Sequence, residues 1–167
     1  VKLPVAALAL EKLRRLNLPG LDRDTTMLTG ADKDFESVAE TDETSPNGLP
    51  SVGQYVRKIL LVSDNDAFNR LYEFLGQQAI NERLRDMRYF DTRIIHRLES
   101  SLDEEQNRWT NPVRFVNGND VVYAQPGAYS EVSFRGDLPE LMGVAEIVDG
   151  KRIEGPKDFA GKNAYAL

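Results

Sequence analysis

The chain has 167 residues, 41% hydrophobic and 29% charged, enough apolar material for one core and far from the composition of a disordered chain. Its net charge of −6 argues against a nucleic-acid surface, and no apolar run approaches the length of a membrane span. With no cysteine, disulfides, thiol catalysis and cysteine-ligated metal are excluded; with one histidine, His96, a histidine-cluster metal site and a Ser–His–Asp triad are disfavoured.

The first sixteen residues predict a helix. Leu3, Ala7 and Leu10, and Ala6, Leu10 and Leu13, recur at helical spacing, and Pro4 is tolerated only because it falls near the start. The chain opens inside this pattern without a methionine and reads as a segment of a longer protein, so the lack of a signal peptide carries little weight. Asn17 to Gly20 ends the helix. Residues 21–50 are polar and turn-rich, with the acidic ADKDFESVAETDE stretch expected as a solvated loop holding strand fragments. Ser51 with Gln54 predicts a reciprocal capping box that opens a second helix through Tyr55, Ile59 and Leu60 to about Val62. A third helix is expected over Asp66–Leu75, with Phe68, Leu71, Tyr72 and Leu75 on one face and Gly76 as its C-cap. A fourth spans Ala79–Met87 and carries Ile80, Leu84 and Met87. Tyr89 to Trp109 looks irregular, and Asn117 to Asn119 reads as a turn. Val144 to Glu154 predicts a β-hairpin, since Asp149-Gly150 suits the two positive-φ positions of a type I′ turn.

Three short stretches are candidates for chemistry. Ser63-Asp64-Asn65 lies between two helical runs: a hydroxyl relays protons, an amide holds amides, and an aspartate between them fixes a loop. The same three residue types also make an ordinary helix-to-helix turn. Lys2 sits beside an apolar helix face, where a desolvated lysine can serve as a base; a solvated lysine is the plainer reading. In RLESSLD, Arg97 to Asp103, the carboxylates Glu99 and Asp103 are four apart and could orient one water between them, or belong to an acidic loop continued by Glu104 and Glu105. A calcium site at Asp64, Asn65 and Asp66 fails for want of EF-hand alternation and its glycine. His96 and Trp109 are read as structural.

Taken together, these stretches resemble the class A β-lactamases and the wider penicillin-recognising serine hydrolases, whose motifs are S-x-x-K, S-D-N and K-T-G. SVGQYVRKILLVSDNDAFNRLYEFLG is similar to that family's helix, S-D-N loop and following buried helix. INERLRDMRYFDTRI is similar to the next helix and its glycine-containing turn, with Arg88 in place of the glycine. RLESSLD resembles the omega loop, with Leu98 for its Trp and Asp103 for its Asn, and TNP resembles the T-T-P that closes it. Glu99 falls 36 residues after Ser63, and Lys2, similar to the lysine of S-x-x-K, 61 residues before it. The nucleophilic serine would lie two residues before Val1, and no K-[ST]-G occurs in the 167 residues. The resemblance covers about residues 1–20 and 49–112.

The resemblance implies a β-lactamase/transpeptidase-like α/β fold. The present chain would be mostly its α-helical part: a helical subdomain over residues 1–112, then an extended insert over 113–167, in which DFAGKN leads back to a later helix. It implies catalytic roles for Lys2, Ser63 and Glu99, substrate binding by Asn65, positioning of the deacylation water by Asp103, and no cofactor or metal. The implied substrate is a β-lactam or a cell-wall peptide, and the implied location is the periplasm or cell envelope. Three functions stay in play. The first is a β-lactamase-like hydrolase, favoured by Glu99. The second is a penicillin-binding or peptidase-like hydrolase, favoured by Leu98, Asp103 and the insert. The third is a ligand-binding relative without chemistry.

Overall fold

The computed structural model describes residues 1–134, 141–148 and 151–158, the last two stretches mainly as backbone. Helix α1 (Lys2–Leu16) ends where Asn17 enters the left-handed region at φ 45° and returns its N–H to Leu13 O. Its buried stripe is Val5, Leu8, Ala9 and Leu13, with Ala6 beside it. Of the two series predicted from spacing, Leu3, Ala7 and Leu10 face outward, with Leu3 66% exposed, whereas Ala6 and Leu13 are buried. Both stripes have helical periodicity. The one carrying Val5 and Leu8 is buried because it packs on the following helices α2 (Val52–Val62) and α3 (Asn65–Leu75).

Strand β1 (Thr26–Thr29) is the strand fragment of the long polar stretch. Ser51 caps α2 by accepting the Gln54 N–H at 3.1 Å, but the reciprocal half of the capping box is absent. The Gln54 side chain donates to Thr44 Oγ1 and accepts from Arg57. Arg57 is one helical turn away and competes successfully for the amide oxygen. Tyr55 and Ile59 are buried, whereas Leu60, Leu61 and Val62 are exposed.

Helix α3 is the axis of the fold. It packs against α1, α2 and α4 (Gln77–Asp86), and Phe68, Leu71, Tyr72 and Leu75 are all buried, as their spacing predicts. Gly76, at φ 88°, separates α3 from α4, which starts two residues earlier than its pattern suggests. Ile80 and Leu84 are buried, but Met87 is the C-cap and lies 37% exposed. The next residue, Arg88, adopts φ 69°, a conformation in which glycine is the unstrained choice.

The region expected to be irregular contains a short helix, α5 (Glu104–Arg108), opened by a complete capping box between Asp103 and Gln106. Two small antiparallel sheets follow. Strand β2 (Trp109–Thr110) pairs with β5 (Ala128–Tyr129), stacking the Trp109 and Tyr129 rings at 4.7 Å with Lys33 Nζ over the indole. Strands β3 (Val113–Asn117) and β4 (Asp120–Gln125) form a hairpin that adds to β1 in the order β1-β3-β4. Val113 and Phe115, which the sequence reading assigns to an insert, are fully buried in the core. Phe115 sits edge-on to Phe74 of α3 at 5.1 Å. Finally, β6 (Leu141–Val148) and β7 (Lys151–Asp158) pair antiparallel across the predicted hairpin segment, with Val148 opposite Lys151. The Asp149-Gly150 turn and residues 159–163 of DFAGKN lie outside the described residues. Helices beside small antiparallel sheets are compatible with the α/β class. Among the described residues no helix is long and apolar enough to cross a membrane.

Candidate active site

At the α2–α3 junction Ser63-Asp64-Asn65 serves as a turn, with the Ser63 and Asn65 side chains outside its capping bonds. Ser63 is the C-cap of α2, at φ 56° and ψ 37°, and donates its N–H to Ile59 O. Asp64 is extended and caps α3 by accepting the Ala67 N–H at 2.8 Å. Its other carboxylate oxygen lies 3.6 Å from Lys58 Nζ. Asn65 begins α3, half-buried, and its amide takes no part in the cap. The aspartate therefore makes the turn, and the Ser63 hydroxyl and Asn65 amide flank it.

Lys2 reaches this junction from the first residue of α1. Its Nζ lies 2.8 Å from Ser63 Oγ and also donates to Ser63 O, joining positions 61 residues apart. An amine and a hydroxyl at that distance can exchange a proton directly. Leu3 beside Lys2 and Leu60, Leu61 and Val62 before Ser63 are all exposed, so the pair is flanked in sequence by apolar surface.

Glu99 lies on the loop that leads to α5. Its side chain is exposed, and its φ of 49° is again left-handed. Four non-glycine residues among those described have positive φ: Asn17, Ser63, Arg88 and Glu99. Two of them are candidate site residues, and residues held in strained conformations concentrate at functional sites. Glu99 lines a cavity of about 320 Å³ with Asp66, Asn69, Arg70 and Glu73 of α3 and Ser100 to Leu102 of its own loop. Among the described residues no hydrogen bond joins Glu99 to Lys2 or Ser63, and neither lines its cavity, so the structure brings Lys2 and Ser63 together and does not join Glu99 to them. Asp103 Oδ1 accepts the Gln106 N–H at 2.8 Å and is committed to the α5 cap.

The residues that hold the Glu99 loop escape the sequence reading. Asn69 grips Leu98 from both sides: its Oδ1 accepts the Leu98 N–H at 2.7 Å and its Nδ2 donates to Leu98 O at 2.9 Å. One turn further along α3, Glu73 accepts from Arg97 Nε at 2.8 Å and from Arg70 Nη1 at 3.1 Å. Arg97 also donates to Trp109 O and to Asn111 Oδ1, and Asn111 in turn donates to Gly30 O and Ser37 O. All of Arg70, Glu73, Arg97 and Asn111 are buried. Burial pushes the Glu73 carboxyl above the usual range, against the opposing pull of the two guanidinium groups. The only signal in the sequence is the i,i+3 spacing of Arg70 and Glu73, which equally describes a solvated surface pair. Among the described residues no cluster of histidine and carboxylate side chains is arranged for a metal ion.

The family model described as the beta-lactamase enzyme family matches residues 1–128. The chain belongs to the beta-lactamase enzyme family. The match runs through residues 21–48, where the motif resemblance is thin, and past residue 112 into the β3–β4 hairpin. Membership in the beta-lactamase enzyme family makes this chain part of a β-lactamase-like hydrolase at family level. No curated protein and no solved structure matches it.

Proposed function

We propose that the protein is a serine β-lactamase-like hydrolase that opens a β-lactam amide through an acyl-enzyme. The observation that carries this reading is the 2.8 Å contact between Lys2 Nζ and Ser63 Oγ, made across 61 residues at a strained junction. The reading requires a nucleophilic serine two residues ahead of Val1 and a K-[ST]-G strand, neither of which is among the 167 residues. That serine attacks the amide carbonyl, and its proton passes to Lys2. Ser63 delivers a proton to the departing nitrogen as the C–N bond breaks, leaving an ester on the serine, and takes the proton held by Lys2 in its place. Asn65 holds the amide side chain of the substrate. Glu99 takes a proton from a water that attacks the ester, and that proton passes to the serine oxygen as the acyl C–O bond breaks, releasing the acid and regenerating the serine. Asp103 helps to hold that water with the carboxylate oxygen not used in its cap. On this reading the protein works in the periplasm or cell envelope.

A second reading, a penicillin-binding or peptidase-like hydrolase of cell-wall peptides, is favoured by one feature. Glu99 is exposed and makes no hydrogen bond to Lys2 or Ser63, so deacylation is the step least supported by geometry. Intact-mass spectrometry of the full-length protein with a penicillin separates the two. A transient adduct with loss of the drug is expected, and Glu99→Gln should make the adduct accumulate. A long-lived adduct in the unsubstituted protein would favour the second reading. Absence of both adduct and drug loss would overturn both.

A further inference from the structure

A second cavity lies away from the Lys2–Ser63 pair. Lys12 is ten residues beyond Lys2 on α1, about 15 Å along a helix rising 1.5 Å per residue. The cavity has a volume of about 390 Å³, within the usual range of small-molecule sites. One face of α1 supplies Leu8, Glu11, Lys12, Arg15 and Leu16; α3 adds Leu75; and α4 adds Ala79 and Arg83. Its walls are thus aliphatic, while its ionic groups are three cations and one carboxylate.

Those charges are unequally committed. Glu11 is fully engaged by Arg83, with both carboxylate oxygens 3.1 Å from Nε and Oε1 2.9 Å from Nη2. Arg15 is exposed and makes no ion pair among the described residues. Lys12 Nζ donates to Phe74 O and, at 2.8 Å, to Gln125 Oε1, and lies 4.2 Å from the centre of the Phe74 ring. Two of its three N–H donors are used, and no carboxylate faces it within ion-pair distance among the described residues. Burial pushes the Lys12 ammonium down to about 8, the mark of a cation short of counter-charge. Arg15 also acts on Glu11 and Arg83 also faces Asp86 at 4.0 Å, but among the lining residues three cations share one carboxylate, so the cavity wall carries surplus positive charge.

We infer that this cavity binds a small organic carboxylate with a short aliphatic tail. The carboxylate sits between the remaining Lys12 donor and the Arg15 guanidinium, and the tail lies against Leu8, Leu16, Leu75 and Ala79. The inference stands apart from the hydrolase reading, since it uses none of the residues placed in that mechanism.

The test is titration of the full chain with hexanoate, followed by NMR of the leucine methyl groups, with 1-hexanol as the uncharged control. Saturable shifts at Leu8, Leu16 and Leu75 are expected with hexanoate and not with hexanol. Arg15 is exposed, so Arg15→Ala should keep the fold while weakening binding about tenfold, the scale of one charged hydrogen bond. Ala79 is exposed as well, and Ala79→Trp should block the cavity and abolish the shifts. Equal binding of hexanol, unchanged affinity in Arg15→Ala, or shifts confined to residues outside the cavity would each overturn the proposal, as would the absence of saturation.

Discussion

Two polar clusters join distant parts of this chain, and they differ in every physical respect. Lys2 and Ser63 meet at the surface, where water competes for both groups and one contact contributes at most about 1 kcal/mol to stability. Glu73, Arg70 and Arg97 meet in the interior, where each charge has lost its hydration and depends on its partners. The buried cluster therefore holds architecture: it fastens the loop at 97–103 to α3. The exposed cluster contributes little to folding yet brings an amine and a hydroxyl within 2.8 Å on a residue at positive φ, and the proposed mechanism uses that contact for proton transfer.

Substitutions can break this contrast. Glu73→Ala should cost the most, about 3–5 kcal/mol in urea unfolding, because it takes the paired carboxylate from buried Arg97 and one of two, the other being Asp66, from buried Arg70. A loss below about 1 kcal/mol would show that the cluster is not the anchor described here. Asn69→Ala should cost about 2 kcal/mol by leaving the Leu98 N–H and C=O without their partner. Hydrogen exchange at Leu98 should accelerate more than exchange along α1; a uniform acceleration would mean that Asn69 supports the whole body and not the loop. Arg88→Gly should stabilise the protein by about 1 kcal/mol, since glycine adopts positive φ without strain, and a lower melting temperature would contradict that account. Lys2→Ala should change stability by no more than about 0.5 kcal/mol while preventing acylation in the full-length protein. Should Lys2→Ala unfold the chain as readily as Glu73→Ala, the division between chemical and architectural clusters would collapse.

The legibility of the sequence follows the same divide. Periodicity located the four long helices and one buried face of α3, where Phe68, Leu71, Tyr72 and Leu75 recur at helical spacing, but not the burial of Ala67 and Phe74 on its other sides. On α1 it offered two overlapping apolar series, of which Ala6 and Leu13 are buried and Leu3, Ala7 and Leu10 are not, and only the packing of α2 and α3 chooses between them. The Asp103–Gln106 spacing carried a readable cap signal for α5, hidden in a run that also reads as an acidic loop. The meeting of Lys2 and Ser63 came into view through family resemblance, since no local pattern links positions 61 apart. The Asn69 and Glu73 anchors were invisible because their partners, Leu98 and Arg97, lie 29 and 24 residues downstream. One sequence does not tell a buried Arg–Glu pair from a solvated one.

Asn111 ties together stretches that are remote along the chain, reaching Gly30 across 81 residues and Ser37 across 74, while accepting from Arg97 only 14 residues back. Such a junction cannot close until both large loops have been drawn in, and that ordering has a kinetic meaning. Contacts formed after the rate-limiting step leave the speed of folding almost untouched and act as a latch against escape from the native state. Asn111→Ala is therefore expected to speed unfolding more than it slows folding, and chevron kinetics checks this.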